Sequence, residues 1–184
     1  MELEGNIIGI IKKEQEEKFI GLKVSEIVTY KKEEALKMVK FDIEKENILF
    51  ENLSSRDKNK IILAKKLHEK EIKLVNFSKG MLKKDMEYFQ KLFKKITNYG
   101  RRIILIDKNS EIFLNCVDHI YVLEEDKIIY ETKTIFDNNL KRYIDLPKIV
   151  EFINKSEEQG IRLDQYTELD ELLKAIYRIK SWGI

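Results

Sequence analysis

Few residues in this 184-residue chain have the type and spacing that chemistry requires. Its two histidines, His68 and His119, are 51 residues apart, and Cys116 is its single cysteine. A structural zinc ion takes four ligands in pairs such as H-x3-5-H, and catalytic zinc often uses H-E-x-x-H. Neither histidine belongs to such a pattern and the lone Cys116 completes no four-ligand set, so no metal site is expected. The glycines stand at 5, 9, 21, 80, 100, 160 and 183. None begins a G-x-x-x-x-G-K-[ST] or G-x-G-x-x-G run, in which glycines let successive N–H groups turn inward on a phosphate. No phosphate cradle and no cofactor are therefore expected. No serine lies in G-x-S-x-G, the strained turn that exposes a nucleophile.

Charge is equally uninformative about a polyanionic partner. The 35 basic and 33 acidic residues nearly cancel to +2 and are interleaved, so the Lys and Glu runs read as solvated helix faces and no nucleic-acid partner is expected. With 43% apolar residues the chain can bury one core, or a core and a small satellite. The longest apolar runs, such as Ile103–Ile106, fall far short of the roughly 20 residues that cross a bilayer. Glu2 and Glu4 follow Met1 without a basic, apolar leader. One unpaired cysteine suits a reducing compartment. These features predict a soluble cytoplasmic protein without direct membrane insertion.

Periodicity supplies the elements that must position any site. Asn6–Ile11 is a short apolar run that reads as a buried strand, followed by a charged stretch, Lys12–Lys18. Phe19–Val28 and Lys31–Val39 read as a loop and helices. Ser54–Glu71 is helical, with Ile61, Ala64 and Leu67 on one face and Ser54 or Ser55 as N-cap. Leu74–Phe77 is a strand candidate, and Lys79-Gly80 a turn. Leu82, Met86, Phe89, Phe93 and Ile96 repeat at helical spacing up to Gly100, a core stripe. Arg101–Asp107 is the clearest buried strand, and Ser110–Val117 a short helix capped by Ser110. Two strands around Glu124-Glu125-Asp126 form a hairpin whose Asp126 must accept positive φ. From Asp145 onward the pattern is helical, with Pro147 in a first turn, Gly160 at a stop, and a Thr167/Asp170 capping pair. The second helix carries the apolar stripe Leu169, Leu172, Leu173 and Ile176, to which Trp182 adds area. Two amphipathic helices need the sheet or another chain to cover them. The domains expected are 1–140, an α/β unit with a helical part at about 19–70, and 141–184, a helical extension.

Nearly the whole chain resembles the ATP-binding subunit of ABC transporters, of the energy-coupling factor type that powers cobalt and vitamin uptake. The strongest stretch is VDHIYVLEEDKIIY, Val117–Tyr130, similar to the hairpin after the family's switch histidine. The tail DLPKIVEFINKSEEQGIRLDQYTELDELLKAI is similar to the helical extension of this subclass. From about residue 6, IGIIKKEQEEKFIGLKVSEIV follows the family's strand, Q-loop and following loop. The resemblance thus implies a partial P-loop NTPase fold lacking the Walker A half, with Met1 falling after that half.

The resemblance also implies that the chemical positions have changed. Lys13 stands at the Q-loop glutamine. The signature LSGGQ appears as Leu53-Ser54-Ser55-Arg56-Asp57, without its glycines. The Walker B acids fall on Val75 and Asn76, or on Phe77 and Ser78 with a two-residue gap, and no Asp or Glu occurs from Ile72 to Lys84. Leu82 takes the D-loop aspartate's place and Lys108 the switch histidine's. Phosphoryl transfer is catalysed by positioning and electrostatics, so losing these groups together should abolish it. The expectation is a non-catalytic, ATPase-like interaction or regulatory subunit. It would form a homodimer, or a heterodimer with an intact ABC ATPase, through Leu169, Leu172, Leu173 and Ile176. A membrane transporter subunit would contact Phe19, Gly21 and Leu22 and hold the assembly at the inner face of the membrane. The alternatives are half of a split ATPase completed by a separate Walker A-bearing polypeptide, and a decayed gene product. Sheet edges and faces left bare by the missing strands should be covered by another surface, most economically a dimer partner.

Overall fold

In a computed structural model, residues 3–181 of the chain are described. Met1 and Trp182 lie outside them. Five strands form one sheet: β1 (Ile7–Ile11), β2 (Glu71–Val75), β3 (Arg102–Ile106), β4 (His119–Glu124) and β5 (Lys127–Thr132). Their order is β2-β3-β1-β4-β5. The first four are parallel, and β5 returns antiparallel to β4. β1 is thus central, hydrogen-bonded on both sides and buried at every residue. Edge strand β2 alternates exposed Glu71 and Lys73 with buried Ile72 and Leu74, a charged edge that discourages further pairing.

Period-two alternation divides the core between the two faces of the sheet. Ile7, Ile11, Ile72, Leu74, Ile103, Leu105, Ile120 and Val122 join the main core with the helices. Ile8, Ile10, Ile104, Ile106 and Tyr121 form a second cluster, against which Leu3, Val75 and Leu123 pack. Between β1 and β2 lie α1 (Val24–Ile27), α2 (Lys32–Met38) and α3 (Ser55–Lys66). Ser54 caps α3 by accepting the Asp57 N–H at 3.1 Å. α4 (Lys83–Thr97) connects β2 to β3 and buries Phe89, Phe93 and Ile96, whereas Leu82, outside its first turn, is 55% exposed.

Several boundaries differ from the sequence reading. β2 begins three residues earlier than Leu74, because register with β3 pairs Glu71 with Arg102, and it ends where Asn76 takes φ 49. Asn109, not Ser110, caps the short 3-10 turn Ser110–Ile112; Ser110 is buried and donates its hydroxyl to the Asp145 carbonyl at 2.5 Å. Both hairpin residues, Glu125 and Asp126, have positive φ. α5 (Lys148–Glu158) starts after Pro147, its N-cap, and α6 (Leu169–Ser181) forms without a Thr167–Asp170 capping bond. Ile144, Leu146 and Val150 belong to the main core, so the C-terminal segment is seated on the sheet unit.

Candidate functional site at the carboxyl edge of the sheet

The four parallel strands end at one edge. From β1 the chain crosses to β2 on one side, and from β3 it passes to β4 on the other. The carboxyl end of β1 is therefore a switch point, where open α/β sheets place their ligands. The residues that follow β1 are Lys12-Lys13-Glu14-Gln15-Glu16-Glu17-Lys18, with no glycine before Gly21.

This segment is fastened across the edge by charge. Glu14 lies 3.0 Å from the Lys12 ammonium and 2.6 Å from that of Lys73 on β2. Glu16 accepts hydrogen bonds from Lys79 at 2.9 Å and from the Asn76 amide at 3.1 Å. Glu17 pairs with Lys66 at the end of α3, and Lys12 reaches Asp126 in the hairpin at 3.3 Å. Burial pushes the Glu14 carboxyl up, but the hydrogen bonds and charges of Lys73 and Lys12 outweigh it and hold it below the usual carboxylate range. The Lys79 hydrogen bond lowers Glu16 in the same way. The carboxylates of Glu14 and Glu16 thus stand at the carboxyl end of β1, each paired to a lysine.

The turn after β2 is fixed from two sides. The Asn59 side-chain amide on α3 donates to the carbonyls of Phe77 at 2.9 Å and Asn76 at 3.1 Å, with Lys79 at 3.4 Å. Asp107, 3% exposed at the end of β3, accepts the Ser78 N–H at 2.8 Å, the Ser78 hydroxyl at 2.9 Å and the Asn109 N–H at 3.0 Å. Gly80 (φ +75) lies against the start of α3, where an added Cβ would come within 3.3 Å of the Arg56 N and the Ser55 Cβ. Asp85 on α4 accepts from Arg56 and from the Leu82 N–H, each at 3.3 Å.

On the other side of β1 a cleft of about 770 Å³ opens between the ends of β1 and β4 and the segment after β5. Lys12, Lys13, Lys108, Lys141 and Arg142 line it, with Glu124 and Asp145. Lys141 is 3.8 Å from Glu158. Among the described residues, the side chains of Lys13, Lys108 and Arg142 have no ion pair or hydrogen bond.

No family model matches the chain. The Energy-coupling factor transporter ATP-binding protein EcfA2 of Mesoplasma florum is 30% identical over 110 residues, 55% of this chain and 35% of that protein. The chain thus spans about a third of that relative's length. A solved complex of the archaeal ribosomal stalk protein aP1 and the ribosome recycling factor aABCE1 includes a chain that matches with a TM-score of 0.52 at 14% identity, over 68% of this chain and 28% of that one. A dimeric bacterial ABC transporter cassette aligns with a TM-score of 0.49 at 19% identity, over 54% of this chain and 44% of that one. The chain has an ABC ATPase-like α/β fold.

The positions singled out by resemblance fall into separate groups. Lys13 and Lys108 meet at the basic cleft. Leu53–Asp57 and Leu82 adjoin Asp85 and Gly80 through the contacts above. Val75 packs on the second core cluster, Asn76 bonds Glu16, and Phe77 and Ser78 are buried. Leu169, Leu172, Leu173 and Ile176 line one groove of about 340 Å³ with Phe152 and Leu114, though only Leu172 of the four is buried. Phe19 packs edge-on against Phe50 at 5.1 Å, the Glu51 carboxylate accepts the Gly21 N–H, and Leu22 is 40% exposed.

The other chemistry-bearing residues are structural. Cys116 is buried, donates to the Ile112 carbonyl at 3.1 Å, and has its thiol pushed up to about 12 by burial. His119 stacks on Tyr121 and His68 tilts against Tyr30. Among the described residues no three His, Cys, Asp or Glu side chains gather as a metal site. Sequence reasoning missed Asn59, Asp107, Glu14 and Glu16. The signal available for the last two was the cluster of three glutamates flanked by lysines in Lys12–Lys18, directly after an apolar strand.

Proposed function

We propose that the chain is a non-catalytic ABC ATPase-like subunit, related to energy-coupling factor transport ATPases, that works by joining a partner. One observation supports this reading: at the carboxyl end of β1, where a phosphate loop would be expected, Glu14 and Glu16 are paired to Lys73 and Lys79. The reading departs in one detail from the alignment by resemblance. β1, as the switch-point strand, is the one after which a phosphate loop belongs, so Lys12–Lys18 replace that loop rather than a Q-loop. MgATP does not fit these residues. Its phosphates would face carboxylates, and the turn after β2 offers Asn76, Phe77 and Ser78 in place of a metal-binding acid.

The partner under this proposal is an intact ABC ATPase or a second copy, engaged through Leu169, Leu173 and Ile176 beside the groove between α5 and α6, with a membrane transporter subunit beyond it. The name of the Mesoplasma relative, a transporter ATP-binding protein, favours such an assembly. The decisive experiment is an ATPase assay of the purified chain with magnesium, alone and mixed with the EcfA2-type ATPase of the same cell, alongside light scattering. No turnover by the chain alone and a complex in the mixture are expected. Turnover above a buffer blank, or a strictly monomeric chain unchanged by mixing, overturns the proposal.

A second reading is favoured by the unpaired Lys13, Lys108 and Arg142: the cleft between β1 and β4 holds a phosphate compound without turning it over. Calorimetric titration with ATP and with pyrophosphate separates the two readings, since the first predicts no heat beyond dilution.

A further inference from the structure

Far from that edge, α2, the C-terminal half of α4 and the start of β3 enclose a groove of about 840 Å³. Its floor is apolar. Leu92 and Ile96 are buried beneath it, while Met38 and Tyr99 are 42% and 75% exposed within it. Tyr88 ties the two walls together by donating its hydroxyl to the Met38 carbonyl at 2.7 Å, and the Lys40 ammonium sits 3.6 Å above its ring. The groove is therefore braced before anything enters it.

The rim is cationic. Lys37, Lys91, Lys95 and Arg101 surround the floor, and Glu34 is the one acid lining it. Glu34 lies 3.6 Å from Lys31. Arg101 donates to the Leu67 carbonyl, which orients its guanidinium and leaves its charge unbalanced. The side chains of Lys37, Lys91 and Lys95 have no ion pair or hydrogen bond among the described residues. In a chain whose charges nearly cancel, this is a local excess of one sign around an apolar trough.

We infer that this groove docks an acidic amphipathic helix of a partner protein, with apolar residues at i, i+3, i+4 and i+7 on the floor and Asp or Glu on both flanks. Helix-in-groove recognition has this form: apolar anchors supply burial, and rim charges select the partner and its orientation. A concave trough whose apolar residues lie between lysines suits an inserted helix better than a flat bilayer. A nucleic acid would instead need a continuous cationic track. A second copy would have to bring an acidic amphipathic helix to the groove, whereas α6 and α5 carry interleaved lysines, which favours a different protein. The inference goes beyond the proposed function and does not depend on what happens at the carboxyl edge.

Fluorescence polarisation of a labelled peptide tests it, using the full chain and a designed helix with leucines at the four anchor positions and glutamates between. Binding should weaken by about tenfold or more in Lys91→Glu/Lys95→Glu, and should fall with salt. A peptide with its glutamates replaced by lysines, or its leucines by serines, should not bind. Circular dichroism of the surface double variant verifies that it is folded. The inference is overturned by no binding at about 1 mM peptide, by equal affinity for the glutamate and lysine peptides, or by an unaffected double variant. It is also overturned if anionic vesicles bind while the peptide does not, or if the double variant abolishes a concentration-dependent self-association, which would make the occupant a bilayer or a second copy.

Discussion

The two sides of β1 at the carboxyl edge treat charge in opposite ways. Toward β2, every acid of Lys12–Lys18 has a lysine of the fold within reach: Glu14 has Lys73, Glu16 has Lys79, Glu17 has Lys66. Toward β4, Lys13, Lys108 and Arg142 share a cleft without such ion pairs, alongside Lys12, which is paired to Glu14 and Asp126, and the acids Glu124 and Asp145. Internal satisfaction marks a surface that has no external ligand to wait for, whereas uncompensated like charge costs stability unless something binds it. The strap side therefore serves structure, and the cleft side is the one where an anion could still change the protein's behaviour.

The largest effect should come from unfastening the strap side at its base. Asp107→Ala removes three hydrogen bonds to one buried acceptor and leaves the Ser78 and Asn109 N–H groups unsatisfied, each worth on the order of 1–1.5 kcal/mol, so urea denaturation should show a loss of about 3 kcal/mol. A loss below about 1 kcal/mol would mean that the turn after β2 is not held by β3.

Asp107 also shows what the sequence could and could not reveal. RRIILID reads as a buried strand from composition alone, and β3 is one. The Phe89/Phe93/Ile96 stripe and the acidic hairpin are equally local, because periodicity and turn chemistry act over a few neighbouring residues. The partner of Asp107 is Ser78, and that of Glu14 is Lys73, 59 residues away. Such pairs are created by strand order, and strand order follows from how crossovers pack rather than from any short pattern. For the same reason the central place of β1 was not legible. Its four isoleucines around Gly9 fit an interior strand of any rank.

An intermediate effect is expected from the strap itself, and it should depend on pH. Glu14 and Glu16 have folded values lowered from 4.5, so their contribution is fully present above that value and is lost as pH falls through the lowered folded values. With Lys73 and Lys79 about half exposed, screening limits the two pairs together to about 1 kcal/mol. Glu14→Gln/Glu16→Gln should therefore lose that amount at pH 7 and progressively less as pH is lowered below 4.5, which thermal unfolding across that range will show. Equal destabilisation throughout would assign the loss to packing instead of charge.

The smallest stability change, and the sharpest distinction, belongs to the cleft. Lys13→Ala/Lys108→Ala removes two cations that have no partner to lose, so stability should stay within about 0.5 kcal/mol of wild type or rise slightly. If pyrophosphate raises the melting temperature of the wild-type chain, the same double variant must abolish that rise. In Glu14→Gln/Glu16→Gln, by contrast, freed Lys73 and Lys79 should add an anion-binding surface and enlarge it. Opposite responses from two pairs of substitutions flanking one strand would establish that β1 separates a self-neutralised face from a ligand-seeking one. A response to pyrophosphate that neither pair alters would place the anion elsewhere and remove the second functional reading.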